Sequence, residues 1–141
     1  MFDELEIKPS CEFVIGRSST HNVLCKAWFS STGFDERPKT GWNWNVYAYV
    51  FEGHPWFDDA EKLRELPFHC GVSLDQMQIT NTTSPSEYNP NRIVRVLGSD
   101  YNHLYDEAGD HPSPEFGVPW YVLEDAKRLF RALTIIDVVE V

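Results

Sequence analysis

The pattern of hydrophobic and polar positions predicts a chain that begins with β-strands. The segment at residues 44–51 is filled without interruption by aromatic and β-branched side chains, which are typical of strands. Apolar residues also alternate along residues 22–29, as in a strand that is partly covered on both faces. The predicted strands are residues 11–16, 22–29, 44–51 and 92–97, and a weaker fifth candidate at residues 68–74 is interrupted by Gly71.

A long helix is predicted near the end of the chain. It begins near Pro119 and runs to about residue 133. Ala126, Leu129, Phe130 and Leu133 follow the i, i+3, i+4, i+7 spacing that makes one apolar face of a helix. This face is expected to pack onto the sheet.

The remaining segments are predicted to be short or irregular. Asp58 followed three residues later by Glu61 resembles a capping box, so a short helix is expected until Pro67 forbids its continuation. The tail at residues 134–141 alternates apolar and acidic residues, which favours an added edge strand. Loops are expected at residues 30–43 and 80–91.

Strands that precede a long helix, without regular β-α-β alternation, predict an α+β fold. The expected architecture is an antiparallel or mixed β-sheet packed on one face by the long C-terminal helix. The length of 141 residues and a hydrophobic content of 42% suit a single domain that spans the whole chain. The first residues are acidic and no apolar run is long enough to cross a membrane, so the expected location is cytoplasmic. Three cysteines in no metal or redox motif, Cys11, Cys25 and Cys70, are expected to be buried and reduced.

The formal net charge of −10 disfavours direct binding to nucleic acid. The charge is also uneven, because residues 96–126 contain seven carboxylates and no Lys or Arg. Two interpretations are open: a solvated surface that keeps the protein soluble, or a site for a cation or for the basic surface of a partner protein. The carboxylates of this stretch are Asp100, Asp106, Glu107, Asp110, Glu115, Glu124 and Asp125.

Three histidines lie where a site could form. His54 follows the strongest predicted strand, His69 precedes Gly71 by two residues, and His103 lies three residues from both Asp100 and Asp106. If that last segment turns helically, its two carboxylates and His103 share one face. Imidazoles with carboxylates can bind a divalent metal such as zinc or manganese, or act as general acid and base. The predicted catalytic set is His54, His69, Asp100 and His103, and Asp106 completes the predicted metal ligands.

Each of these residues also has an ordinary structural interpretation, as a cap, a turn residue or half of an ion pair. The spacing matches no tight metal motif, and no phosphate-binding loop or nucleophile elbow is present. Aromatic residues crowd residues 28–68, where most are expected to form the core. Trp42 and Trp56, placed in predicted loops, are the candidates for a pocket that stacks a base or a sugar.

Four motifs occur in order along the chain. They are His54-Pro55 after a strand, the segment from His69 to Ser73, the segment from Gly98 to Asp106, and Glu124 ahead of Leu129 and Leu133. Their order resembles a widespread family of small, mostly uncharacterised phage and prophage proteins, over roughly residues 44–133. The family's second motif usually reads His-Gly-Gly-x-Thr, whereas this chain has Cys70 and Ser73. The resemblance implies a phage or mobile-element setting, hence the cytoplasm of a host cell, and a shared polar site.

Two functions are therefore predicted. The first is a protein-binding module or inhibitor, which presents carboxylates in place of phosphates to a host or phage protein with a basic surface. Its predicted contacts are Asp106, Glu107, Asp110, Trp42 and Trp56. The alternative is a metal-assisted hydrolase or transferase that uses the His and Asp residues named above. The small size and the negative charge favour the binding module, whereas the histidines in successive motifs favour the enzyme.

Overall fold

A computed structural model describes residues 10–29, 42–69, 71–80, 92–101 and 113–139 of the chain. The described part contains a five-stranded sheet and a long C-terminal helix, which confirms the predicted α+β class. Its elements are β1 (Ser10–Arg17), β2 (His21–Phe29), β3 (Trp42–Phe51), α1 (Ala60–Leu63), β4 (Leu74–Thr80), β5 (Arg92–Asp100), a 3-10 turn (Pro114–Phe116) and α2 (Trp120–Val139).

The sheet has the strand order β1-β2-β3-β5-β4, and every neighbouring pair is antiparallel. The first three strands follow one another as in a meander. β5 then pairs with both β3 and β4, so the last strand in the sequence lies inside the sheet. The sequence left an antiparallel or a mixed sheet open, and the sheet is antiparallel.

Helix α2 packs its apolar stripe onto β1, β2 and β3. Ala126, Leu129 and Leu133 are buried as predicted, Val122 extends the stripe by one turn, and Phe130 is partly buried at its side. Phe130 lies so close to Gly16 of β1 that a Cβ atom there would be 2.6 Å from its ring. Facing strand residues complete the core: Val23, Cys25, Ala27, Trp44, Val46, Ala48, Val50 and Leu97.

The prediction of an edge strand at residues 134–141 is wrong, because α2 continues to Val139. β-branched residues dominate this tail and favour a strand by intrinsic propensity, but packing can override such a preference. Ile136 continues the apolar stripe one turn beyond Leu133 and packs against the core. The carboxylate of Asp137 accepts a hydrogen bond of 2.6 Å from the hydroxyl of Thr20, which attaches the last turns of the helix to the sheet.

The fifth strand lies at Leu74–Thr80 rather than at the predicted residues 68–74. Residues 66–69 are not extended: Phe68 N–H donates to the carbonyl of Leu66, and Gly71 N–H donates to the carbonyl of Phe68. Gly71 has a φ of 90°, a conformation that glycine adopts readily and that ends an extended run. β4 itself was missed because it is a polar edge strand that contains Asp75 and Gln76.

Three boundaries also differ from prediction. Helix α1 is capped by Asp59, whose side chain accepts from Lys62 N–H, so the predicted cap at Asp58 is wrong by one residue. Trp42 is the first residue of β3 and not part of a loop. Asp100 is the last residue of β5, paired with Asn45, and therefore does not lie in a helical turn.

The predicted loops at residues 30–43 and 80–91 lie almost wholly outside the described residues. Cys25 is buried as predicted, and its burial raises the pKa of the thiol to about 12. Cys11 is exposed on β1, contrary to prediction, and Cys70 lies outside the described residues. Within the described part of the chain, no helix has both the length and the apolar character needed to cross a membrane.

Candidate functional site

Tyr101 joins the end of β5 to the first half of α2. Its backbone N–H donates to the carbonyl of Trp44, 3.1 Å away, which continues the sheet one residue beyond Asp100. Its ring is buried on the helix-facing side of the sheet. The phenol hydroxyl donates a hydrogen bond of 2.6 Å to Oδ2 of Asp125. A neutral donor on a carboxylate makes a stronger hydrogen bond than a neutral pair, so this contact fixes the helix against the strand end.

His69 covers the other side of Tyr101. The two rings are stacked with centroids 4.3 Å apart and an interplanar angle of 12°. The turn that closes between Phe68 and Gly71 holds the imidazole in this position. The positive φ of Gly71 belongs to the turn that presents His69.

An open cleft of about 490 Å³ lies beside these two stacked rings. Its volume falls in the range of sites that bind small molecules. Trp120 of the cleft is 75% exposed, and it lies edge-on to Tyr121 with centroids 5.8 Å apart. The cleft is lined by His69, Tyr101, Trp120, Tyr121, Glu124, Asp125 and Arg128.

Two carboxylates and one guanidinium give the cleft its charge. Both oxygens of Asp125 are engaged, since Oδ2 accepts from Tyr101 and Oδ1 accepts from Nη1 of Arg128 at 3.2 Å. Glu124 is exposed and forms no ion pair with another residue of the described segments. The cleft therefore combines aromatic faces with one carboxylate open to solvent.

His54, a predicted ligand, belongs to a different environment. It is buried in the turn after β3, and its Nδ1 accepts a hydrogen bond of 3.1 Å from Trp56 N–H. Because Nδ1 accepts, the ring proton is on Nε2, which donates to the carbonyl of Leu133 at 3.1 Å. His54 thus ties the turn to a main-chain carbonyl of α2.

His21 forms a second buried imidazole beside His54, with ring centroids 5.4 Å apart and nearly perpendicular planes. Its Nε2 donates to Oγ1 of Thr134 at 3.0 Å, because that hydroxyl gives its own proton to Phe130 O. Its Nδ1 is then the acceptor of the neutral ring. It lies 2.8 Å from Oγ1 of Thr20, whose proton goes to Asp137, and 3.0 Å from the hydroxyl of Ser18, which can donate to it. His21 carries no signal of a site in the sequence, because it precedes the strand predicted at residues 22–29 without a neighbouring Gly or carboxylate.

Burial lowers the pKa of His21 from 6.5 to about 4. The neighbouring imidazole of His54 acts in the same direction, while the carboxylate of Asp137 acts in the opposite one. The neutral form of His21 is therefore strongly favoured in the folded protein. With both ring nitrogens in hydrogen bonds, this cluster attaches α2 to the sheet.

The predicted catalytic and metal set is divided by the fold. His54 contacts α2 at Leu133, whereas Tyr101, on which His69 stacks, contacts it at Asp125, about 12 Å away along the helix axis. Among the described residues, no three His, Cys, Asp or Glu side chains are grouped so that they could hold a metal ion. His103, Asp106, Glu107 and Asp110 lie outside the described residues, so the hydrolase and metal hypotheses that include them stay predictions.

Asp100 precedes Tyr101 directly but belongs to the opposite face of the sheet, since side chains alternate along a strand. There its charge adds to burial, the larger effect, in raising the pKa of Tyr47. Trp42 packs edge-on against Phe29 with centroids 5.4 Å apart, and Trp56 lies under the ammonium of Lys62 at 5.5 Å. Neither tryptophan lines the cleft.

The cleft contains aromatic residues that sequence reasoning did not select. Trp120 and Tyr121 come directly after Pro119 and lie off the buried stripe of Val122, Ala126 and Leu129. A large aromatic side chain on the solvent side of an amphipathic helix is the signal that could have identified them.

Comparison of the chain with protein-family models, with curated proteins and with solved structures found no match in any of the three.

Proposed function

We propose that this protein is an accessory binding protein of a phage or mobile element, and that it attaches to a basic surface of a host or phage protein. The observation that supports this proposal is the exposed aromatic and acidic cleft at the start of α2. It is built from side chains of the residue after β5, of the turn before β4 and of the helix, so several elements hold its shape.

Trp120 is the first reason to assign binding to the cleft. A tryptophan with 75% of its surface exposed leaves a large apolar area in water, which burial against a partner would remove. Tryptophan and tyrosine are also enriched among the few residues that contribute most to protein interfaces. Tyr121 lies against Trp120 and widens the aromatic surface.

Charge supports a basic partner. The formal net charge of −10 attracts a positively charged surface over long distances and raises the rate of encounter. At the cleft itself, Glu124 is exposed and available to a cationic group. An aromatic patch edged by a carboxylate suits a partner surface that carries lysine or arginine beside apolar groups.

In the inhibitor form of this proposal, the partner's basic surface is its own nucleic-acid-binding site. The carboxylates of Asp106, Glu107 and Asp110 would then take the place of phosphates. These three residues belong to the stretch without Lys or Arg that leads from Tyr101 to the cleft residues of α2. This form adds competition with nucleic acid to the binding activity.

A charge-matched pair of variants tests the proposal. Tagged protein is incubated with an extract of a bacterial host, and captured proteins are compared between wild type, Glu124→Lys and Glu65→Lys. Both variants change the charge by the same amount, but Glu65 is an exposed residue just after α1 that does not line the cleft. We expect a basic protein to be retained by wild type and Glu65→Lys and lost by Glu124→Lys. Capture that survives Glu124→Lys would contradict the proposal.

A further inference from the structure

We infer that the cleft recognises an arginine side chain of the partner, and that Arg128 is an internal guanidinium that must give up Asp125 when the partner binds. This inference rests on the proposed function and deepens it. It names the side chain that the cleft takes and assigns Arg128 the role of an internal competitor.

The aromatic surface fits a planar cation. His69, Tyr101, Tyr121 and Trp120 form a row in which successive ring centroids are 4.3, 6.0 and 5.8 Å apart. The ring of Trp120 is open to solvent at the end of this row. A guanidinium stacks on such a face through cation–π and planar contact, and tryptophan is the best partner for this interaction.

The acidic side of the cleft explains why Arg128 matters. Its Nη1 makes one hydrogen bond of 3.2 Å to Oδ1 of Asp125, and 56% of its side chain is exposed. Exposed ion pairs of this kind contribute little to stability, so exchanging one guanidinium for another costs little. Oδ2 of Asp125 stays bound to Tyr101 during the exchange, which keeps the carboxylate in place.

Glu124 supplies the second acceptor for the incoming side chain. It precedes Asp125 on the helix and is exposed. A guanidinium can donate two N–H groups to one carboxylate, or one to each of two, whereas an ammonium is a hydrated point charge without this geometry. The dipole at the start of α2 opposes a cation, but its effect falls off within the first turn, which ends before Glu124.

The two roles predict effects of opposite sign. Glu124→Gln removes an acceptor and weakens binding of an arginine ligand. Arg128→Gln removes the competitor and the local positive charge, and therefore strengthens the same binding. Arg131→Gln is the matched control, because Arg131 is exposed one turn further along α2 and does not line the cleft.

The test uses the full chain labelled with 15N and a blocked Gly-Arg-Gly peptide, with otherwise identical peptides that carry lysine or citrulline instead. The indole N–H signal of Trp120, assigned with Trp120→Phe, reports binding. We expect the arginine peptide to shift this signal, and the citrulline peptide, which keeps the shape but not the charge, to bind about tenfold more weakly, as for the loss of a charge-assisted hydrogen bond. Arg128→Gln should bind the arginine peptide several-fold more tightly than wild type and than Arg131→Gln.

Each contrary result has a distinct meaning. Equal affinity for the lysine and arginine peptides would overturn arginine recognition. An unchanged or weaker affinity in Arg128→Gln, with an unchanged melting temperature, would overturn the internal competitor. If no peptide shifts the Trp120 signal while capture of a partner from extract still depends on Glu124, this inference fails and the proposed function stands. If no peptide shifts the Trp120 signal and capture does not depend on Glu124, both this inference and the proposed function fail.

Discussion

The hydroxyl of Tyr101 donates a hydrogen bond of 2.6 Å to Oδ2 of Asp125 and so connects the residue after β5 with the second turn of α2. The same carboxylate accepts from Arg128, and the same phenol ring stacks under His69. One partly buried contact therefore positions both the aromatic and the acidic side of the cleft.

Removing this hydroxyl should destabilise the protein without removing the ring. We expect Tyr101→Phe to lower the free energy of unfolding by about 1.5–3 kcal/mol, because the bond has a charged acceptor. Urea denaturation of wild type, Tyr101→Phe, Asp125→Asn and the double variant measures the coupling between the two side chains. A coupling energy near zero would show that the bond does not stabilise the fold.

Leu129 should be a core residue of the helix–sheet interface. Only 1% of its surface is exposed, so Leu129→Ala should reduce the free energy of unfolding by about 2–5 kcal/mol. Ile135→Ala is the control on the same helix, because Ile135 is 54% exposed and its truncation should change stability by about 0.5 kcal/mol or less. Similar losses for both variants in urea denaturation would contradict the packing of α2.

Stability should fall with acid because of His21. The pKa of His21 is about 4 in the folded protein and 6.5 as an ordinary value, so the unfolded chain binds the proton more readily between these limits. From pH 7 to pH 4.5 this one group should reduce the free energy of unfolding by about 2–3 kcal/mol. Carboxylates add their own pH dependence, so the quantity to measure is the difference between wild type and His21→Gln. If the difference in the free energy of unfolding between the two proteins does not change with pH, the pKa of His21 is not lowered in the folded protein.

Trp120 should matter for binding and not for folding. Because its side chain is 75% exposed, Trp120→Ser should leave the free energy of unfolding within about 0.5 kcal/mol of wild type. The same change should weaken capture of the basic partner strongly, as expected for an aromatic residue central to an interface. Val138→Ser is the control, since Val138 is 71% exposed near the other end of α2. Equal retention of the partner by both variants would argue against the cleft as the binding site.

Charge mimicry predicts a separate result. Reversing Asp106, Glu107 and Asp110 to Lys should abolish competition with duplex DNA for the captured partner, and raised salt should slow the association of wild type. Reversing Asp58, Glu61 and Glu65, which belong to α1 and its flanks, gives the same change of net charge elsewhere. If the variant with Lys at residues 106, 107 and 110 still competes with DNA and salt has no effect, the protein binds its partner without mimicking nucleic acid.

The sequence predicted the fold where the residue pattern matched a buried element. The strand predicted at residues 44–51 from its aromatic and β-branched residues lies within β3 (Trp42–Phe51), and the helical spacing of Ala126, Leu129 and Leu133 matches a buried stripe. β4 was missed because an edge strand needs few apolar residues. The last turns of α2 were misassigned, because the contacts that hold them helical come from Thr20, far away in the sequence.

The cleft was harder to predict because its residues lie far apart in the sequence and meet only in the fold. His69 could be selected because Gly71 is nearby. The residues that surround it in the cleft are Tyr101, on which it stacks, and Asp125, which binds Tyr101, and both are distant from His69 in the sequence. His54 shows the opposite error. Its place after a strand suggested a ligand, whereas its two ring nitrogens hold a turn against the carbonyl of Leu133.

The position of β5 between β3 and β4 affects the order in which the sheet can assemble during synthesis. The chain makes β4 before β5, and β5 is the strand that pairs with β4 in the described part of the sheet. Until β5 leaves the ribosome, β4 and the free edge of β3 expose unpaired backbone groups, which are a hazard for aggregation. The charge of Asp75 in β4 reduces this hazard, because a carboxylate on a strand disfavours pairing with another chain before β5 is made.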